Sequence, residues 1–194
     1  MKRKTAERLG TREIYPGRTI HVAVDTVRLP NGKVMDVELV HHQGAVAVVP
    51  VIGDEVLMVR QYRYATGGWL LEIPAGKLEP DEKPEACAVR ETEEETGFRP
   101  SELEPLGWIW TTPGFCDEKI WLFLARGLEE TRQGLDEDEV LELERMPLKD
   151  AVDKAVRGEI HDGKTVCALL RANDRSAQIA RVSSSSSART KRDS

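Results

Sequence analysis

The sequence predicts a mixed α/β (α+β) domain built on a mixed β-sheet. Strand-like segments follow one another from Arg18 to Arg63, a single strong helix interrupts them, and two helices close the fold after the last strand. Ile20–Leu29 is rich in β-branched residues, and Pro30-Asn31-Gly32 suits a hairpin turn because Asn and Gly tolerate positive φ. Lys33–His41 returns. Gly44–Ile52 is an almost unbroken apolar run, the pattern of a strand buried on both faces. Gly53-Asp54 turns the chain into a strand over Glu55–Arg63, and a short one follows at Trp69–Ile73. A helix is expected over Pro84–Thr96, since proline fits the first turn and Gly97 suits the left-handed position just past the end. Further strands are expected near Leu106–Thr112, Ile120–Ala125 and Val140–Arg145, with helices over Pro147–Val156 and Thr165–Ala172. Residues 173–194 are poor in apolar side chains and carry a serine run beside Arg and Lys, so they are expected to form a disordered tail.

A length of 194 residues suits one compact domain with loose ends. The formal net charge of −6 argues against general nucleic-acid binding, which needs a basic face. Cys87, Cys116 and Cys167 are widely spaced and form no CxxC pair, which points to reduced thiols rather than a disulfide framework or a zinc site. The four histidines lack metal-ligand spacing. The basic start is not followed by an apolar segment, and no stretch approaches bilayer length. The expectation is a cytoplasmic protein with no membrane and no nucleic-acid partner.

The chemical clue is the end of the expected helix. Glu91, Glu94 and Glu95 stand at i, i+3 and i+4, so a helix puts them on one face. Like charges at that spacing cost about 0.2–0.5 kcal/mol per pair. They also lie in the last turn, where the helix dipole is already negative. Carboxylate oxygens are the hard ligands that Mg2+ prefers, in a shell shared with waters and substrate phosphates. These residues alone leave two readings, a solvated acidic face and a cation site.

The surrounding pattern favours the second. Residues 76–98, GKLEPDEKPEACAVRETEEETGF, give Gly76, five residues, Glu82, seven residues, Arg90-Glu91, then Glu94-Glu95 and Gly97-Phe98. This resembles the Nudix box. Thr92 and Phe98 stand where aliphatic residues are usual, and every charged and glycine position is filled. The resemblance implies a Nudix α/β/α sandwich around a mixed sheet, with an N-terminal antiparallel strand extension. It divides the chain into N-terminal strands at residues 1–42, a dimerisation region, and a catalytic domain at 43–172. It further implies that Glu91 and Glu95 bind Mg2+ (Mn2+ being the substitute ion), that Glu94 binds or supports it, and that the Ala75 carbonyl adds a ligand. Arg90 would orient Glu91 through an ion pair with Glu82.

Outside the box, Arg60-Gln61-Tyr62-Arg63-Tyr64, Trp69–Gly76 and Thr112–Glu118 resemble the ADP-ribose pyrophosphatases, as does Pro113 lying 16 residues beyond Gly97. By that resemblance Arg63 contacts the diphosphate, where a planar guanidinium suits phosphate oxygens. Glu118 accepts hydrogen bonds from the terminal ribose, and Gly114 and Phe115 shape its pocket. Phe115 is equally open to a core role. Trp69 is open to base stacking or, more commonly, to core packing, and Trp108 and Trp110 read as packing residues. In the acidic segment Asp136–Glu139, Glu139 aligns with a metal-binding glutamate and Glu137 is the other candidate for the base. The run Gly158–Thr165 reads as the cap of the last helix. Val37 stands where relatives carry an arginine that helps hold adenine, so GDP-mannose and other nucleotide sugars stay open beside ADP-ribose. The implied reaction cleaves ADP-ribose to AMP and ribose 5-phosphate by in-line attack of water. The remaining alternative is a non-catalytic nucleotide sensor. A homodimer, with a small-molecule nucleotide in its pocket, is the implied assembly.

Overall fold

The computed structural model describes residues 4–135 and 139–175. An antiparallel three-stranded sheet comes first, in the order β1 (Glu7–Pro16), β2 (His21–Arg28), β3 (Val34–His41). The β2–β3 hairpin forms where the sequence predicts it. It runs in register from His21↔His41 to Arg28↔Val34, and Gly32 at φ 88° lets its amide donate back to the Leu29 carbonyl at 2.8 Å. The strand β1 falls outside the segments the sequence marks. All ten of its residues are exposed, so no alternation betrays it.

The larger sheet has the order β10 (Leu141–Pro147), β5 (Glu55–Arg63), β4 (Ala45–Ile52), β9 (Lys119–Glu130), β8 (Phe98–Trp110). Two short strands join it: β6 (Gly68–Glu72) on β5, and β7 (Ala75–Lys77) on β4. The β4–β9 pair is parallel and the other pairs are antiparallel, which makes the sheet mixed as expected. The apolar β4 is buried on both faces, and its alternation feeds two cores. Val46 and Val48 meet Phe123, Ala125, Cys87 and Ala88 under α1 (Pro84–Thr96). Ala45, Ala47 and Val49 meet Met58, Leu122 and Leu124 under α2 (Leu148–Val156) and a third helix, α3, at residues 163–175. Each fully buried Val or Leu contributes roughly 1.5–3 kcal/mol. Helix, sheet, helix is the layering.

Helix α1 has the predicted limits: proline opens it, and Gly97 closes it at φ 74° with its amide on the Glu93 carbonyl. Elsewhere the limits move. Strand β8 starts at Phe98 instead of Leu106 and carries a bulge between Pro105 and Gly107. It is an edge strand, where Pro100 and Pro105 sacrifice no central pairing. Helix α3 runs through residue 175, past the expected boundary at 172, and residues 176–194 of the expected tail lie outside the described residues. Trp69 is 45% exposed, which overturns its core reading, and Phe115 at 55% exposed is not a core aromatic; Trp108 and Trp110, 46% and 47% exposed, pack at the surface. Trp108 and Trp110 meet edge to face with ring centres 5.4 Å apart, and Lys119 Nζ lies 4.5 Å from the Trp108 ring. Among the described residues no helix is long and apolar enough to cross a membrane.

Candidate active site

Helix α1 docks on the sheet through Cys87 and Ala88, and this turns the carboxylates of its last turns toward β7. Glu91 and Glu95 are 8% and 1% exposed. Glu95 Oε2 accepts the Ala75 amide at 3.3 Å. The Glu91 carboxylate fills the place where a side chain on Gly76 would begin: a Cβ there would lie 1.9–2.2 Å from its carbon and oxygens. The box glycine is therefore a steric requirement of the neighbouring glutamate. Burial pushes the Glu91 carboxyl up to about 7, against the pull of Arg90, and pushes Glu95 up as well, helped by the charges of Glu91 and Glu139. Ala75, Gly76, Glu91 and Glu95 thus meet in one place, with Glu139 close enough for its charge to act on both carboxyls. Glu137 lies outside the described residues.

Arg90 organises the outer side of this cluster. Its Nη1 donates to Glu91 Oε1 at 2.7 Å and to Glu94 Oε2 at 3.0 Å. Its Nε and Nη2 fork onto Glu82 at 2.9 and 2.8 Å. The hydrogen bonds from Arg90 and from the Glu79 amide outweigh desolvation and hold the Glu82 carboxyl down at about 2. Because the folded value lies below the ordinary 4.5, this pair's stabilisation is complete above about 4.5 and is lost as the pH falls through about 2. Glu82→Gln is expected to remove that component from acid unfolding followed by circular dichroism; a native-like acid transition in the variant would contradict the assignment.

The four final carbonyls of a helix lack internal partners. Here the segment after β9 supplies two of them: Gly134 N donates to the Glu94 carbonyl at 3.0 Å and Gln133 Nε2 to the Glu95 carbonyl at 2.6 Å. On the other side, Arg63 at the end of β5 forks onto Glu72 with Nε and Nη2 at 2.9 and 2.8 Å. Lys164 donates to the same carboxylate. Burial opposes the charge of Glu72, but Arg63 and Lys164 outweigh it and hold the carboxyl below its usual range.

Gly114, Phe115 and Glu118 sit on a separate loop clasped to the end of β3. Val40 N donates to the Phe115 carbonyl at 2.7 Å, and the Asp117 carboxylate accepts the His42 amide at 2.7 Å and pairs with His41 Nδ1 at 2.6 Å. Glu118 Oε1 lies 3.7 Å from His42 Nε2. Trp69 stands on β6, edge-on to Tyr62 with ring centres 5.8 Å apart.

Among the described residues no group of three or more His, Cys, Asp or Glu side chains is gathered closely enough to hold a metal ion by themselves. The fit to a divalent ion rests on a different observation. Glu95 Oε1 is buried and has no hydrogen-bond partner among the described residues, a costly state that a cation relieves. The donors available beside it, carboxylate oxygens and a backbone carbonyl, are those that Mg2+ takes.

Sequence reasoning passed over Glu72, Asp117, Gln133 and the steric role of Gly76. Glu72 left a trace, being a lone charge in the apolar stretch Trp69–Pro74. Gln133 left none, because a cap supplied from a distant segment has no periodicity.

The NUDIX domain profile matches residues 41–169. The chain is 44% identical over 162 residues to a methanol dehydrogenase activator from Bacillus methanolicus, covering 82% of this chain and 88% of the relative. It is 41% identical over 172 residues to an ADP-ribose pyrophosphatase from Bacillus subtilis, covering 87% and 93%. A solved structure of an ADP compounds hydrolase superposes with a TM-score of 0.81 at 23% identity, covering 93% of this chain and 99% of that one, and so shares its fold. With the box residues filled in sequence and gathered in space, this chain belongs to the Nudix family.

Proposed function

We propose that this Nudix chain is a pyrophosphatase that hydrolyses the diphosphate of ADP-ribose, with Mg2+ (or Mn2+ in its stead), to AMP and ribose 5-phosphate. The observation that carries the reading is the pair of buried carboxylates, Glu91 and Glu95, one of them with an orphaned oxygen, against the backbone of Ala75 and Gly76. The 41% identity to an ADP-ribose pyrophosphatase supports ADP-ribose over other nucleotide sugars.

Glu91, Glu95, Glu139 and the Ala75 carbonyl would hold the ion, with Glu94 in support. Bound there, Mg2+ would supply Lewis-acid polarisation and lower the pKa of water. Arg90 keeps the Glu91 carboxylate in place through its bond to Oε1. Arg63 has its outer edge left to donate to a phosphate oxygen of the bound diphosphate and hold the substrate there. Glu137 or Glu139 takes the proton of the attacking water. Trp69, half exposed beside Tyr62, offers a face to the base. Gly114, Phe115 and Glu118 receive the terminal ribose.

The assembly we propose is a homodimer that buries the N-terminal sheet, whose β1 leaves Leu9, Ile14 and Tyr15 exposed. A cytoplasmic location is consistent with Cys87, Cys116 and Cys167 all being free thiols. The net charge of −6 argues against a nucleic-acid partner.

Chromatography of products from ADP-ribose and GDP-mannose, with Mg2+ and with a chelator, tests the reading. AMP and ribose 5-phosphate are expected from ADP-ribose, only with the ion present and faster than any cleavage of GDP-mannose. Undiminished cleavage in chelator removes the metal assignment. Preference for GDP-mannose removes the substrate, and binding without cleavage leaves a sensor.

A further inference from the structure

A carboxylate that is 1% exposed needs a reason to stay charged, and Glu72 has two. Its oxygens receive the Nε and Nη2 of Arg63, and one of them also receives Lys164 Nζ. Lys164 reaches on to Asp162 at 3.0 Å. The same Asp162 oxygen accepts the amide and the hydroxyl of Thr165 at the start of α3. Thr165 Oγ1 in turn accepts the Ile73 amide at 2.9 Å, and Ile73 is the next residue along the chain from Glu72. The contacts close a ring that pins the end of β6 to the beginning of α3.

If stapling α3 were the whole purpose, Lys164 would suffice. The fork onto Arg63 does something else. Two of the three guanidinium nitrogens bind Glu72 edge-on, so the plane of the group is fixed and its Nη1, without a hydrogen-bond partner among the described residues, is left for a ligand. The Arg63 side chain is 39% exposed while that of Glu72 is 2% exposed, so a buried anvil holds a half-exposed tool. Arg63 also lies within electrostatic reach of Glu95, as does Lys164.

We infer that Glu72 is a positioning residue: from a ring anchored on α3, it fixes the Arg63 guanidinium so that its outer edge meets the substrate diphosphate beside the acidic cluster. The inference rests on the proposed role of Arg63. It concerns orientation, and the effect belongs in substrate affinity and not in the chemical step.

Steady-state kinetics with saturating Mg2+ on ADP-ribose and GDP-mannose test it, using the native chain, Glu72→Gln, Arg63→Ala, Arg63→Lys and the double variant Arg63→Ala/Glu72→Gln. Glu72→Gln is expected to raise KM about tenfold or more while kcat stays within about threefold. Arg63→Lys keeps the charge but cannot grip two oxygens at once, so its KM should rise about as far. In the Arg63→Ala background, Glu72→Gln should change KM by less than about twofold, the sign of one shared pathway. Equal damage from Glu72→Gln with and without Arg63 overturns the inference and leaves Glu72 a staple for α3. If Glu72→Gln folds poorly by circular dichroism, Arg63→Lys decides at its half-exposed site, and a native KM there overturns the inference. A native chain that cleaves neither compound removes the role of Arg63 and the inference with it. That result is separate from a native chain that cleaves but ignores the substitutions.

Discussion

Glu95→Gln is expected to lower turnover about a thousandfold, a barrier increase of ~4 kcal/mol, when ADP-ribose is assayed at saturating Mg2+. The substitution keeps the shape of the side chain and an oxygen able to accept the Ala75 amide. It removes only the charge that a cation would answer. The same change should make the chelator-treated chain harder to melt. Burial raises the Glu95 carboxyl above its ordinary 4.5, so the native chain's stability from this group is full below about 4.5 and is lost as the pH climbs toward the raised value. Glutamine escapes that loss, and the gap between the melting curves should widen from pH 5 to pH 8. Adding Mg2+ should raise the native midpoint and leave that of the variant unmoved. Near-native turnover in the variant would end the metal assignment.

Gly76→Ala should be nearly as damaging, for a reason of space. The added methyl would start 1.9–2.2 Å from the Glu91 carboxylate, and Gly76 is held in the ladder opposite Val46. The carboxylate must leave. Loss of about a hundredfold in turnover is expected, with ~1–3 kcal/mol of destabilisation from overpacking. Truncating the obstructing side chain in the same background, Gly76→Ala/Glu91→Ala, should restore the melting midpoint and leave activity absent. Full activity in Gly76→Ala would mean that Glu91 has somewhere else to go.

How much of this could be read from the letters alone depended on whether a residue's partner was near in sequence. Helix α1 was legible to its last residue because its start signal, Pro84, and its stop signal, Gly97, are both local. The acidic cluster was legible because i, i+3, i+4 spacing maps directly onto a helix face. Strand β4 announced itself by burial on both sides. By contrast, β1 and the polar first half of β8 lie at sheet edges, where a strand has no need of alternating apolar residues. Trp69 misled for the opposite reason: it has the hydrophobicity of a core residue and is 45% exposed. The Nudix resemblance located Glu91, Glu95 and Arg90, but it said nothing of Glu72, Lys164 and Gln133 as neighbours of that centre. The Gln133–Glu95 contact joins residues 38 apart and the Lys164–Glu72 contact residues 92 apart.

The β8–β9 hairpin leaves Gly97 and comes back to it: the Thr131 amide donates to the Gly97 carbonyl at 2.7 Å, and strand pairing runs from Phe98↔Glu130 out to Trp110↔Lys119. The hairpin is therefore held at both ends: its root closes the acidic helix, and the 112–118 loop at its tip is tied to the end of β3. The end of the acidic helix and the 112–118 loop are thus set at opposite ends of one pair of strands.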